Sequence, residues 1–210
     1  MITRPKEDVE IFADHCVLMR SIYLHGKILF EESTRREKTL MSRAANIFFS
    51  DLNRVLIEYV ILQVCKITDP AQDARKNDNL TIAFLLDRYG FDLADLKLLN
   101  ERCEKLRAFR EKLLPARNKR ISHFDRNAAI GDFVLGAAST EEWDEFWLNL
   151  QDVICIIHKK AVGEAFYLNA VGMLSDADGL LRALRYGAHF QRLLRDPVVG
   201  PKCAKLAFDE

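Results

Sequence analysis

Apolar residues recur at intervals of three and four along most of the chain, which is the spacing of one face of an α-helix. No alternation of apolar and polar residues, as in a half-buried strand, continues beyond a few positions. The sequence therefore predicts an all-α fold, an up-and-down bundle of five or six helices. The predicted helices cover about residues 7–32, 37–67, 80–89, 92–115, 139–169 and 175–196.

The predicted helix over residues 37–67 is apolar around most of its circumference. Its polar residues occupy only a narrow strip around Ser50, Arg54 and Glu58. A helix this apolar is expected near the centre of the core. A stripe at alternating three-four spacing comprises Ala45, Phe48, Leu52, Val55, Tyr59 and Leu62, and Phe49, Leu56, Val60 and Val64 widen it.

Several residues mark the expected ends of helices. Pro70 stops the second helix, because proline cannot continue the hydrogen-bond ladder. Asp92 can cap the fourth helix, and Ser139 with Glu142 resembles a capping box for the fifth. Pro115 is expected to interrupt the fourth helix, so that residues 116–123 form a final turn or two that is kinked relative to the preceding turns.

The chain length of 210 residues predicts one domain, over residues 1–195, followed by a tail over 196–210 whose structure the sequence does not indicate. The hydrophobic fraction of 49% is sufficient for a large core. Lys plus Arg and Asp plus Glu both number 31, so the overall charge neither predicts nor excludes a polyanionic partner. Only local clusters of charge can indicate one.

The five cysteines are widely spaced and fit no metal or redox motif, which favours reduced thiols in a cytoplasmic protein. The N-terminal residues lack the apolar segment of a signal peptide. No apolar run is long enough to span a bilayer, so no membrane association is expected. The sequence gives no reason to expect a metal or another cofactor.

The segment over residues 113–126 concentrates groups that can perform chemistry. Between Lys112 and Arg126 there are five Lys and Arg residues and one acidic residue, Asp125, which favours an anionic ligand. Guanidinium groups bind phosphate and stay charged, and an imidazole exchanges protons near neutral pH. The candidate residues are Arg117, Asn118, Lys119, Arg120, Ser122 and His123.

A structural explanation of this segment is also available, because basic residues are common at the C-terminal ends of helices, where they suit the helix dipole. The same ambiguity applies to the last predicted helix. One of its faces carries Arg182, Arg185, His189 and Arg192, which fits either an RNA-backbone track or, more simply, a solvated amphipathic face.

Arg117, Asn118 and His123, with five residues between the arginine and the histidine, resemble the Arg-polar-spacer-His signature of the HEPN superfamily of helical bundles. Further segments are similar to the abortive-infection, AbiU-type branch of that superfamily. They are residues 67–70 with 79–82, and residues 178–184. These segments and the motif occur in order over most of the chain.

The resemblance implies a metal-independent endoribonuclease that acts as a homodimer, in phage defence or with a cognate antitoxin. Carried over to this chain, it makes His123 the general acid or base, Arg117 the ligand of the scissile phosphate and Asn118 the group that orients one of them. Lys119, Arg120 and Ser122 would bind the RNA substrate. Two alternatives stay open: a non-catalytic HEPN module that binds RNA, a nucleotide or a protein, and a plain helical interaction protein.

Overall fold

The structure, a computed structural model, describes residues 5–118, 138–168 and 176–203. No strand occurs within these ranges, apart from an isolated antiparallel bridge between Gln72 and Asp78. The prediction of an all-α helical protein is therefore confirmed. The described helices are α1 (Pro5–Gly26), a π-helical turn (Lys27–Glu31), α2 (Arg35–Ile67), α3 (Ile82–Leu86), α4 (Leu93–Ala116), α5 (Thr140–Val162) and α6 (Asp176–Leu194).

The described chain divides into two compact units. The first unit contains residues 5–21, 57–118 and 138–168, and the second contains residues 22–56 and 176–203. The boundaries between the units therefore fall inside α1 and α2. The single domain over residues 1–195 stays a prediction. In the predicted tail, the Asp196 carboxylate accepts hydrogen bonds from the amides of Val198 and Val199 and begins a short helical turn.

In the first unit, α4 packs along α5 through aromatic side chains. The ring of Phe109 lies 4.8 Å from that of Trp143 and 5.0 Å from that of Phe146, and Trp147 follows at 5.1 Å from Phe146. Such edge and offset contacts add to the free energy of burying these large rings. Trp143 and Trp147 therefore belong to the core contact, as their four-residue spacing indicates.

Side-chain caps begin three helices of the first unit. The carboxylate of Asp92 accepts the amide of Asp95 at 2.8 Å, and Ser139 forms the predicted capping box with Glu142. Thr81 caps α3, which is shorter than the predicted helix over 80–89. The prediction for α5 was too long: the helix ends at Val162, because Gly163 adopts a left-handed conformation with φ +92°.

Pro115 does not interrupt the fourth helix. The helix continues through it to Ala116, and residues 117–118 then adopt π-helical geometry. The amide of Arg117 still bonds to the carbonyls of Leu113 and Leu114. Proline removes one ladder hydrogen bond, and burial of Leu113 and Ala116 against the core keeps the backbone helical despite that loss. The change of geometry lies two residues beyond the predicted position.

Helix α2 buries residues that widen the predicted apolar stripe, while parts of the stripe itself are exposed. Phe48 and Val55, at alternating three-four spacing, are 59% and 57% exposed, whereas Phe49 and Val60 are buried. One physical feature explains the difference: apolar residues surround this helix, so periodicity alone could not select a face. The helix is also broken at Ala45, where φ −164° and ψ 75° are not helical.

The second unit is joined by a carboxylate at the start of α2. Glu37 is 6% exposed and accepts hydrogen bonds from the Thr34 hydroxyl at 2.6 Å and the Thr34 amide at 2.7 Å. The Arg185 guanidinium on α6 also donates to it. These bonds from Thr34 and Arg185 lower the pKa of Glu37 to about 2. The carboxylate therefore caps α2 and binds α6 at the same time.

We predict that Glu37→Gln lowers the free energy of unfolding by about 1 to 3 kcal/mol at pH 7, because a buried charged acceptor is lost while Arg185 remains. The folded-state pKa lies below the ordinary value of 4.5, so the ionised form stabilises the native state above that pH. That stability disappears as the pH falls towards 2. Urea denaturation followed by circular dichroism should show the two proteins converging between pH 5 and about pH 2.

The matched control is Asp51→Asn, which removes a carboxylate that pairs with Arg54 on the exposed surface of α2. An exposed pair of this kind is worth about 0 to 1 kcal/mol, so the control should differ little from the parent at any pH. Equal losses in the two variants would contradict the structural role of Glu37.

Candidate functional site

The candidate site begins at the last residues of α4. Three residues of this helix are buried and hold it against the core of the first unit: Leu106, Phe109 and Leu113. Ala116 is also buried, so the backbone immediately before Arg117 cannot swing away without breaking core contacts. The helix therefore presents Arg117 and Asn118 from a rigid element.

Arg117 and Asn118 contact each other at this helix end. The Arg117 Nη1 group donates a hydrogen bond of 2.9 Å to the Oδ1 of Asn118, which is exposed. The Nε of Arg117 is buried and has no partner among the described residues. No described carboxylate lies within 4.0 Å of this guanidinium, so its charge is not neutralised by the described part of the chain. Such a half-buried, uncompensated cation is suited to binding an anion.

A second arginine, Arg110, anchors the same helix two turns before Arg117. Arg110 lies seven residues before Arg117, about two full helical turns, so the two side chains share a face of α4. Its Nη2 donates to Asp69 Oδ1 at 2.6 Å, and both side chains are largely buried. Burial alone would lower the pKa of Arg110, but its hydrogen bond to Asp69 and the carboxylate charge raise it.

The charges of both arginines act on the thiol of Cys65, near the end of α2. Burial raises the pKa of the Cys65 thiol, and the positive charges of Arg110 and Arg117 act in the opposite direction. Because burial dominates, the thiol stays protonated and inert at neutral pH. The turn that follows α2 therefore meets α4 at Arg110, through the bond to Asp69.

One cation that contributed to the predicted positive cluster is neutralised. Lys112 forms an ion pair with Glu142, the residue that also closes the capping box of α5. The hydrogen bond from Lys112 and the Ser139 amide lower the pKa of Glu142. The local positive charge available to a ligand is thus smaller than the sequence count, and Arg117 is the described cation of the motif that keeps its charge uncompensated.

Of the six candidate residues, the structure places Arg117 and Asn118 and brings them together. Lys119, Arg120, Ser122 and His123 lie outside the described residues, so their positions and roles stay predictions. Within the described ranges, no group of three or more His, Cys, Asp and Glu side chains is arranged to hold a metal ion. None of the described helices is both long and apolar enough to cross a membrane.

The comparison with family models gives one result: the model described as AbiU2, of the HEPN group, matches residues 9–159. The chain belongs to the HEPN AbiU2 family. No curated protein and no solved structure matches it. The matched range includes the motif at residues 117–123 and the segment at 67–70, whereas residues 178–184 lie beyond it.

One of the AbiU2-like sequence segments contacts the helix that leads to the motif. Asp69 belongs to the segment over residues 67–70, and Arg110 of α4 binds its carboxylate. Sequence reasoning noticed the segment but did not find Arg110. The available signal was its seven-residue spacing from Arg117, which places the two arginines on one face.

We predict that Asp69→Ala lowers the free energy of unfolding by about 2 to 4 kcal/mol, because Arg110 would keep a largely buried charge without a strong partner. Urea denaturation at pH 7 measures the loss. The matched control is Glu111→Ala, since Glu111 also bonds to Arg110 at 3.0 Å but is 63% exposed. That variant should lose less than about 1 kcal/mol. A loss in the control as large as in Asp69→Ala would show that the pair does not anchor the helix.

Proposed function

We propose that this AbiU2 protein is a metal-independent endoribonuclease whose site is built around Arg117 and His123. The observation that supports the proposal is the guanidinium of Arg117, which has no carboxylate partner among the described residues and is held beside Asn118 at the end of an anchored helix. A cation in that state binds a phosphate without first breaking an ion pair. In the proposed site, Lys119, Arg120 and Ser122 bind the RNA beside it.

The proposed reaction is a transesterification within the RNA strand. The ribose 2′-oxygen attacks the adjacent phosphorus, and the bond from phosphorus to the 5′-oxygen breaks. The products are a 2′,3′-cyclic phosphate and a free 5′-hydroxyl. One proton leaves the 2′-hydroxyl and one reaches the departing 5′-oxygen, and the imidazole of His123 performs one of these transfers.

Arg117 has an electrostatic role in this proposal. Negative charge grows on the non-bridging phosphate oxygens during the attack, and a guanidinium stabilises it through two parallel hydrogen bonds. Because Nη1 of Arg117 already donates one hydrogen bond to Asn118, the amide sets the direction of the guanidinium plane. Asn118 is thus proposed to position Arg117 rather than to contact the reacting atoms.

The proposed active form is a homodimer. Arg117 and His123 are six residues apart, so in an ideal helix their side chains would not share a face. A second copy across a two-fold axis could supply the complementary group. The proposed biological setting is phage defence or a toxin–antitoxin pair, in which a protein antitoxin would cover the site.

The second candidate function is binding without cleavage. The observation that favours it is that Arg117 buries its Nε and uses one Nη1 hydrogen on Asn118, which leaves fewer donors for a developing charge. A non-catalytic module of this kind would bind RNA, a nucleotide or a protein partner through the same residues.

We predict that the protein cleaves single-stranded RNA in the presence of EDTA and leaves 2′,3′-cyclic phosphate ends. Arg117→Ala and His123→Ala should each lower the rate by at least about 100-fold, since one loses charge stabilisation and the other loses proton transfer. Gel analysis of end-labelled RNA, with the cyclic ends identified by mass spectrometry, measures both outcomes.

The matched control is Arg107→Ala, which removes an exposed arginine from the same helix and should retain the parental rate. Retained cleavage in His123→Ala, or cleavage that EDTA abolishes, would contradict the proposed mechanism. RNA binding that depends on Arg117 without any cleavage would support the second candidate function instead.

We further predict that the protein sediments as a dimer at micromolar concentration and that the dimer carries the activity. Sedimentation velocity measures the mass, and the specific cleavage rate should fall when dilution produces monomers. A fully active monomer would contradict the shared-cleft arrangement while leaving the cleavage chemistry itself intact.

A further inference from the structure

The second unit contains a groove of about 940 Å³ that the proposed reaction does not use. One wall is the first part of α2, and the other is α6 from Ala183 onward with the residue just after the helix. The described lining includes no acidic and no aromatic residue. Its polar side chains are Arg36, Thr39 and Arg43 on the first wall and Gln191, Arg192 and Arg195 on the second.

The four arginines of this groove are exposed and form no ion pair with the described residues. No described carboxylate lies within 4.0 Å of any of their guanidinium groups. The neighbouring Arg185 differs, because Glu37 binds it. Four like charges therefore converge in a chain whose formal net charge is zero. An anion lying in the groove would relieve their mutual repulsion and gain several charge-assisted hydrogen bonds.

Small residues let a ligand approach the backbone between these arginines. Ala44 lines the first wall, and Ala183, Gly187 and Ala188 line the second. A Cβ atom added to Gly187 would meet nothing within 4 Å, so the space above it is open. The groove therefore has room for an extended ligand, because its own side chains at these positions are small.

We propose that this groove binds the sugar–phosphate backbone of a single-stranded nucleic acid. Arg36 and Arg43 are seven residues apart on α2, about 10 Å along the helix, so the wall meets more than one phosphate. A positively charged groove with two walls follows a single strand, whereas a duplex is read by elements that enter its own grooves. Without an aromatic platform, the described lining offers no base stacking and no sequence preference.

This inference goes beyond the proposed ribonuclease function. Phosphates are the same in DNA and RNA, so the groove should bind either strand, whereas the proposed reaction requires a ribose 2′-hydroxyl. Single-stranded DNA therefore tests the groove separately from the chemistry. The family model also ends at residue 159, before α6 begins, so the groove depends on a helix outside the matched segment.

The experiment measures binding of the full-length protein to fluorescein-labelled oligothymidylate by fluorescence anisotropy across a salt series. The double variant Arg36→Gln/Arg192→Gln should bind at least about tenfold more weakly than the parent. Its slope of log affinity against log salt should be shallower by about 1.4, because each lost phosphate contact removes about 0.7 on a single strand. The control Arg35→Gln/Arg182→Gln removes two exposed arginines of the same helices that do not line the groove. It should stay within about twofold of the parent.

A second pair of variants tests the same proposal without removing any arginine, in case the double arginine variant does not fold. Gly187→Glu places a negative charge in the groove, and Gly179→Glu places the same charge on the same helix outside it. Neither position has a neighbour within 4 Å of the added Cβ, so both variants should fold, as circular dichroism will show. Only Gly187→Glu should weaken DNA binding, by at least about tenfold.

Equal effects of groove and control variants on DNA affinity would overturn the proposal. So would tighter binding of polyglutamate than of oligothymidylate, because that result would identify the occupant as an acidic protein segment. Loss of RNA cleavage with unchanged DNA binding in a groove variant would also overturn it. Failure of the parent to cleave RNA would instead contradict the proposed function and leave the DNA-binding result to stand on its own.

Discussion

The largely buried ion pair between Asp69 and Arg110 is the contact on which the candidate site depends. Asp69 lies two residues beyond the end of α2, after Thr68, whose hydroxyl donates to the Val64 carbonyl at 2.6 Å. Arg110 lies two turns before Arg117 on α4, so the pair sets the position of the helix face that carries the motif. Buried ion pairs add little net stability, since desolvation offsets the attraction, but a broken one is costly. Its contribution is therefore to define one arrangement of the two helices.

The environment of Arg117 differs from that of three other arginines of the first unit. Arg110 and Arg102 each bond to an aspartate, and Arg88 lies over the ring of Phe84 and pairs with Asp78. In each case the fold supplies a partner for the positive charge. Arg117 has only the neutral amide of Asn118 among the described residues, although its Nε is buried. A partly desolvated cation that has no carboxylate partner lowers the stability of the fold. Binding sites commonly carry such a cost in stability.

Much of the fold was accessible from the sequence because its signals are local. Asp92 and Ser139 begin helices as predicted, since a cap requires only the side chain and the next three residues. Asp69–Arg110 and Glu37–Arg185 were not predicted, because partners 41 and 148 residues apart leave no periodic trace. The Thr34 to Glu37 capping box could have been recognised from its spacing, which matches that of Ser139 to Glu142.

Helix α2 shows why an abundant signal can be less informative than a sparse one. In α1, Val9, Phe12 and Cys16 recur at helical spacing as one clear apolar stripe, and all three are buried. In α2, apolar residues cover most of the circumference, so two stripes satisfied the helical spacing equally well. The chain selected the stripe of Phe49 and Val60, after a break at Ala45 that no sequence pattern indicated. Helix existence was predictable there, but helix orientation was not.

The arginines of the second unit divide into one that holds the unit together and several that do not. Arg185 joins α6 to Glu37 at the start of α2, and its loss would leave a buried carboxylate unpaired. Arg36, Arg43 and Arg192 face the groove without a described carboxylate partner, so neutralising them breaks no described ion pair and relieves repulsion. The stability of the unit therefore does not explain why these arginines converge. The proposed binding of an external polyanion explains it, because a ligand with its own row of negative charges is complementary to such a surface.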